Sequence, residues 1–293
     1  MQHRPFTALG ILAVTALGLT GCASAGAGPE AEDDTITIVA MEGWDDVVAS
    51  SNLWRTVLEE QGYDVEVVYS EVATAFLGLT EGDYDLFFGS WLPVTHAAYY
   101  EQYGEDLEDL GSWNQEARNT IAVNADAPID SLDELADNAD LFGDRIVGIE
   151  PGAGLTSLTE ESAIPEYGLE DLDFRTSSTP AMLTELERAL AAGENIAVTL
   201  WEPHWAYSSY DIKNLDDPKG AMGEAENIMT FARPGFTEAH PEAAAWLEDF
   251  EMDLETISSL QAALFLDYDG TEYAEPTAEW VEANREWVDG LTS

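Results

Sequence analysis

Basic residues are what this chain has least of. Ten Lys and Arg stand against 59 Asp and Glu, a formal net charge of −49. That balance excludes nucleic acid as a partner, because phosphate binding needs clustered Lys and Arg. Cysteine is scarcer still. Cys22 is the only one, so no intramolecular disulfide can form. Four His, at positions 3, 96, 204 and 240, lack the spacing of a metal cluster, and neither a metal nor another cofactor is expected. No Gly-rich loop ends in Lys-Ser/Thr, so the chain carries no ATPase of its own. Ser157, Ser177 and Ser178 are candidate nucleophiles, yet none sits in a nucleophile-elbow pattern, and no enzyme is expected. Beyond the N-terminus no stretch approaches the ~20 apolar residues of a membrane span.

What is present argues for a folded, exported protein. Hydrophobic residues make up 45% of the chain, with nine Trp, which is not the composition of a disordered segment. The acidic excess therefore belongs on a folded surface, where salt outside the cell screens its self-repulsion. At the N-terminus, His3 and Arg4 precede an apolar run from Phe6 to Leu19, and Leu19-Thr20-Gly21-Cys22 follows. A positive start, a short apolar stretch and small residues form a secretory signal over residues 1–21. Leu-Thr-Gly-Cys also resembles the bacterial lipobox, whose Cys is acylated, so Cys22 is expected to anchor the mature chain to the cell membrane. Residues 22–34, small and then acidic, read as a flexible tether.

From residue 35 onward, short apolar runs alternate with helical patterns. Strands are expected at 35–40, 65–69, 84–88, 120–123, 145–149, 174–177 and 195–200. Helices are expected at 47–61, 96–103, 157–167 and 179–192. This rhythm predicts an α/β fold of parallel sheets covered by helices. It falls into two blocks, a first lobe over 35–123 and a second over 124–226. A strand at 227–232 returns the chain to the first block, and a mostly helical stretch follows to residue 293. Two lobes with two crossings leave a cleft between them.

Ligands of open α/β sheets sit beyond the carboxyl ends of the strands. Three of the predicted strands lead into tryptophan there: Trp44, Trp91 and Trp201. A fourth leads into Pro151-Gly152-Ala153-Gly154-Leu155 at a helix start. Trp is the best ring for holding a desolvated cation over its face, at ~2 kcal/mol or more per contact. Backbone N–H groups at a helix start favour an anion. His96, one helical turn past Trp91, adds a donor to the same place. An aromatic box beside a set of donors suits a cation without N–H groups that carries a carboxylate, and no acidic residue is required beside the cation. That describes a betaine.

At these residues the chain resembles the glycine betaine-binding proteins of osmoregulatory ABC importers, over about residues 35–250. The resemblance rests on Ser90-Trp91-Leu92-Pro93-Val94-Thr95-His96, on Gly148-Ile149-Glu150-Pro151-Gly152-Ala153-Gly154, on Leu200-Trp201-Glu202-Pro203-His204-Trp205, and on the stretch from Tyr210 to Lys219. It implies a two-lobed periplasmic-binding-protein-like fold of type II, with a hinge between the lobes and the ligand in the interlobe cleft. It further implies a prism of Trp44, Trp91 and Trp201 around the trimethylammonium. The carboxylate then falls to His96 and the backbone N–H groups of Gly154 and Leu155. His204 and Trp205 are read as packing behind the site. The implied partners are glycine betaine or a related betaine and an ABC permease with its ATPase. Proline betaine, carnitine, choline or a sulfonium analogue remain open as ligands, as do a surface sensor and a hydrolase built on the same cleft.

Overall fold

The structure is a computed structural model that describes residues 35–268 and 270–293. The signal segment, Cys22 and the tether all lie outside the described residues.

The first strand, β1 (Thr35–Ala40), is rich in β-branched residues and buries Ile36 and Ile38 completely. Helix α1 (Asp45–Glu60) crosses to β2 (Asp64–Tyr69), parallel to β1, and α2 (Val72–Glu81) leads to β3 (Leu86–Leu92), parallel on the other side of β1. Helix α1 is buried over nearly its whole length, polar residues included. Ser50, Asn52 and Thr56 return their side chains to carbonyls of their own helix, so burial leaves these groups paired.

After α3 (Ala97–Tyr103) comes β4 (Glu108–Asn124), a single strand of 17 residues. The second set of elements is β5 (Arg145–Gly148), α4 (Gly154–Leu158), α5 (Ile164–Tyr167), β6 (Asp173–Thr176), α6 (Thr179–Ala192), β7 (Ala197–Glu202), α7 (Ala206–Ser209) and β8 (Ile212–Asn214). A π-helical turn, Thr159–Ala163, joins α4 to α5, so the chain is helical from 154 to 167. The chain ends with β9 (Glu226–Ala232), α8 (Phe236–Ala239), α9 (Pro241–Glu248), α10 (Leu254–Phe265), α11 (Ala274–Ala283) and α12 (Arg285–Gly290).

The strands run in the order β2-β1-β3-β9-β4-β7-β5-β6, with β8 also on β4. Residues 108–117 of β4 pair with β9 in one sheet, and residues 118–124 pair with β7 and β8 in the other. One strand thus belongs to both sheets, and the fold is the two-lobed α/β arrangement. The expectation of purely parallel sheets does not hold. Strand β9 is antiparallel to β3 and β4, and β7 and β8 are antiparallel to β4. Strand β9 runs against the parallel strands of the first sheet, and β4, parallel to β3, runs against β7 in the second. Asp85 fixes one such junction: its carboxylate accepts from the Thr37 N–H at 2.7 Å and pairs with Arg233 at 2.6 Å, at the end of β9.

Candidate ligand-binding site

The tight turn before α1 places three side chains at once. Gly43 takes a left-handed φ of +87°, and Trp44 N–H closes back on the Met41 carbonyl at 3.1 Å. Trp44 becomes the residue flanking the helix, with Asp45 and Asp46 in its first turn. Asp46, when ionised, complements the positive end of the helix dipole.

Trp91 lies inside β3, one residue from its end, rather than beyond it. The following turn folds His96 back under the strand. His96 N–H donates to the Trp91 carbonyl, and Trp91 N–H donates to His96 Nδ1, both at 2.9 Å. With Nδ1 accepting, the ring hydrogen sits on Nε2, which is buried and has no partner among the described residues. Burial pulls the His96 pKa down to about 3, so the ring is neutral and Nε2 is a donor. The ring also stacks on Trp44, centroids 5.7 Å apart and planes 10° from parallel.

Trp201 lies in β7, opposite Asn119 of β4. Its indole N–H donates to Asp46 Oδ1 at 3.2 Å, and the Trp91 indole N–H donates to Asp46 Oδ2, also at 3.2 Å. A single buried carboxylate therefore orients two tryptophans. Trp44 Nε1 reaches Glu150 Oε2 at 3.5 Å, the outer limit of a hydrogen bond. Burial pushes the Asp46 carboxyl up to about 6, against the lowering pull of the indole N–H groups. Asp45 is pushed up to about 8, again by burial, with the Trp205 N–H opposing and Asp46 adding.

Gly154 opens α4 at the far wall. A Cβ built on it would lie 2.1 Å from the Thr95 carbonyl oxygen, so only glycine fits. The N–H groups of Gly154 and Leu155 are in the first helical turn, where no intrahelical acceptor exists.

All six residues singled out by sequence, Trp44, Trp91, Trp201, His96, Gly154 and Leu155, border one pocket. Sequence reasoning missed Asp46, Thr95 and Asn119, which line it too. It also required no acidic residue at the aromatic box, and Asp46 lines the pocket beside Trp91 and Trp201. The available signal was its position two residues after Trp44. His204 and Trp205 do not line the pocket. His204 packs edge-on against Trp201 at 4.7 Å, and the Trp205 indole N–H donates to Asp45. Among the described residues no helix is long and apolar enough to cross a membrane, and no cluster of three His, Cys, Asp or Glu has the geometry to hold a metal.

Residues 34–283 match the family described as the substrate-binding domain of ABC-type glycine betaine transport systems. The glycine betaine/carnitine transport binding protein GbuC of Listeria monocytogenes is 36% identical over 171 residues, 56% of this chain. That match spans only 55% of the relative's own length. Among solved structures, lactococcal OpuAC closed on glycine betaine superposes with a TM-score of 0.81 at 32% identity, covering 89% of this chain and all of that one. The glycine betaine/L-proline-binding protein ProX of Borrelia burgdorferi gives 0.82 at 31% identity, covering 88% and 97%. A choline-binding protein in complex with choline gives 0.79 at 26% identity, covering 88% and 91%. With most of its length inside the family match, the chain belongs to the substrate-binding domains of ABC-type glycine betaine transport systems.

Proposed function

We propose that this protein captures glycine betaine, or a close betaine, outside the cytoplasm and hands it to an ABC permease driven by an ATPase, for osmoprotection. One observation carries the reading. Three indoles and a buried histidine donor without a partner among the described residues border the same small space. Trp44, Trp91 and Trp201 form the walls around the trimethylammonium, and the Asp46 carboxylate behind two of them adds negative charge to the cation's side. His96 Nε2–H and the N–H groups of Gly154 and Leu155 take the carboxylate.

The magnitudes fit. Three cation–π walls at ~2 kcal/mol each and charge-assisted hydrogen bonds of ~1.5–3 kcal/mol exceed the ~8 kcal/mol of a micromolar complex. The surplus goes into ordering and desolvation. One lobe is built on the sheet of β1, β2, β3 and β9 and the other on that of β5, β6 and β7, the chain passing between them within β4, and ligand bridging both stabilises the closed form. The mature chain begins at Cys22, held to the membrane by its lipid, with residues 23–34 as the tether.

A calorimetric panel of glycine betaine, proline betaine, carnitine, choline and glycine tests the ligand class. The expected result is saturable binding of glycine betaine and recovery of unaltered ligand by NMR after incubation. Binding of choline alone would move the assignment to a carrier of cations without carboxylates. Consumption of the ligand would move it to an enzyme.

A further inference from the structure

Glu226 opens β9 and is buried, yet it does not line the pocket. Its Oε2 accepts from the backbone N–H of Val94 at 2.7 Å and of Thr95 at 2.9 Å. Its Oε1 accepts from the Thr95 hydroxyl and from Asn119 Nδ2, the latter at 3.2 Å. Asn119 Nδ2 also reaches Thr95 Oγ1 at 2.5 Å. Four donors converge on one buried carboxylate, and hydrogen bonds to an ionised acceptor are the strong kind.

The donors come from both sheets. Val94 and Thr95 follow β3, whereas Asn119 lies in the part of β4 that pairs with β7, opposite Trp201. Glu226 itself pairs with Ala117, and the next residue, Arg118, already pairs with β7. The carboxylate therefore sits where β4 passes from one sheet to the other. The turn it holds carries two groups of the site: the Thr95 carbonyl, against which Gly154 is seated, and the adjoining His96 with its free Nε2–H. The indole N–H groups of Trp91 and Trp201 are held elsewhere, by Asp46.

We propose that Glu226 is a positioning residue that sets the anion-holding side of the pocket, and with it the preference for a cation that carries a carboxylate. The proposal rests on the betaine reading above. It differs from a general structural role in one respect: loss of the carboxylate affects the carboxylate half of a ligand and spares the ammonium half.

Titration calorimetry of the wild type and Glu226→Gln with two ligands tests it. The ligands are glycine betaine and tetramethylammonium chloride, at ionic strength matched with NaCl. Tetramethylammonium has the cation without the carboxylate, and its solubility lets weak binding be read. The expected result is at least a tenfold rise in the Kd for glycine betaine with the tetramethylammonium Kd within about threefold of wild type. A parallel rise for both ligands, or no change for either, overturns the proposal and leaves the functional reading standing. No glycine betaine binding by the wild type overturns the functional reading, and this proposal with it. Should Glu226→Gln fail to fold by circular dichroism, Glu226→Asp is read against the same two outcomes. It keeps the charge but is one methylene too short to reach all four donors.

Discussion

Trp201 donates its indole N–H to Asp46 at 3.2 Å, joining a strand of the second sheet to the first turn of the first helix across 155 positions of sequence. Because the other oxygen of the same carboxylate holds Trp91, the spacing of two indole walls is set by one residue that neither a strand-end nor an aromatic pattern reveals.

Asp46→Asn tests that relationship. The amide keeps the size of the side chain but turns an NH2 toward one of the two indole donors. The affinity for glycine betaine is expected to fall at least tenfold by calorimetry, with a change in tryptophan fluorescence of the free protein. Unchanged affinity would show that the indoles hold their places without the carboxylate.

On the proposed reading, Trp91→Ala removes one cation–π wall, worth about 2 kcal/mol when desolvated, or roughly thirtyfold in affinity. The loss should reach at least tenfold for every quaternary ammonium ligand in the panel, with the far-ultraviolet circular dichroism unaltered. An unchanged titration would remove Trp91 from the site.

Gly154→Ala introduces a Cβ 2.1 Å from the Thr95 carbonyl oxygen, a backbone atom with little room to yield. The two walls must then stand apart, and glycine betaine affinity is expected to fall at least tenfold. Small-angle scattering with saturating ligand should show less compaction than wild type. Wild-type affinity in this variant would mean that Thr95 and Gly154 do not meet in the bound form.

The buried aspartates give a signed pH dependence. Asp46 is raised to about 6 and Asp45 to about 8, both from 3.8, and burial is the main cause. Each therefore binds its proton more tightly in the folded than in the unfolded chain. Their contribution to stability is fully present below about pH 4 and is lost as pH rises, through about 6 for Asp46 and about 8 for Asp45. A cation beside Asp46 favours the carboxylate, so binding below about pH 6 releases a proton, and glycine betaine affinity should rise between pH 5 and 7. His96, held near 3, stays neutral over that range and adds no step of its own. Calorimetry in buffers of different ionisation heat checks the proton release, and Asp46→Asn should flatten the profile. A flat wild-type profile would place the cation away from Asp46.

Much of the fold is legible in short apolar runs. The pattern over 179–192 coincides with α6, and the run at 35–40 coincides with β1. Strand β4 is a different case. Only its last third, a continuous buried run from Asn119 to Asn124, reads as a strand, because Gly111 takes a φ of +94° and three register shifts against β9 break the period of two over Glu108–Ala117. The antiparallel pairings of β9 join residues more than a hundred positions apart, which no local pattern encodes. The site divides in the same way. Trp44 and the Gly154 turn follow strands that can be read, and Trp91 and Trp201 are the last residue but one of theirs, so the strand-end rule brings them together. Asp46 reads as an ordinary partner of a helix dipole, Asn119 as a mid-strand polar residue, and Glu226 as one of 59 acids. Their roles come from hydrogen bonds that only the folded chain brings within reach.

Titration of the protein with glycine betaine, beside glycine as the control, addresses the central claim most directly. The two ligands share a carboxylate and differ in the three methyl groups that take away the ammonium's N–H donors. Saturable binding of glycine betaine in the micromolar range, with no detectable heat from millimolar glycine, is the predicted result. Equal binding of the two, or none of glycine betaine, would contradict the tryptophan cage.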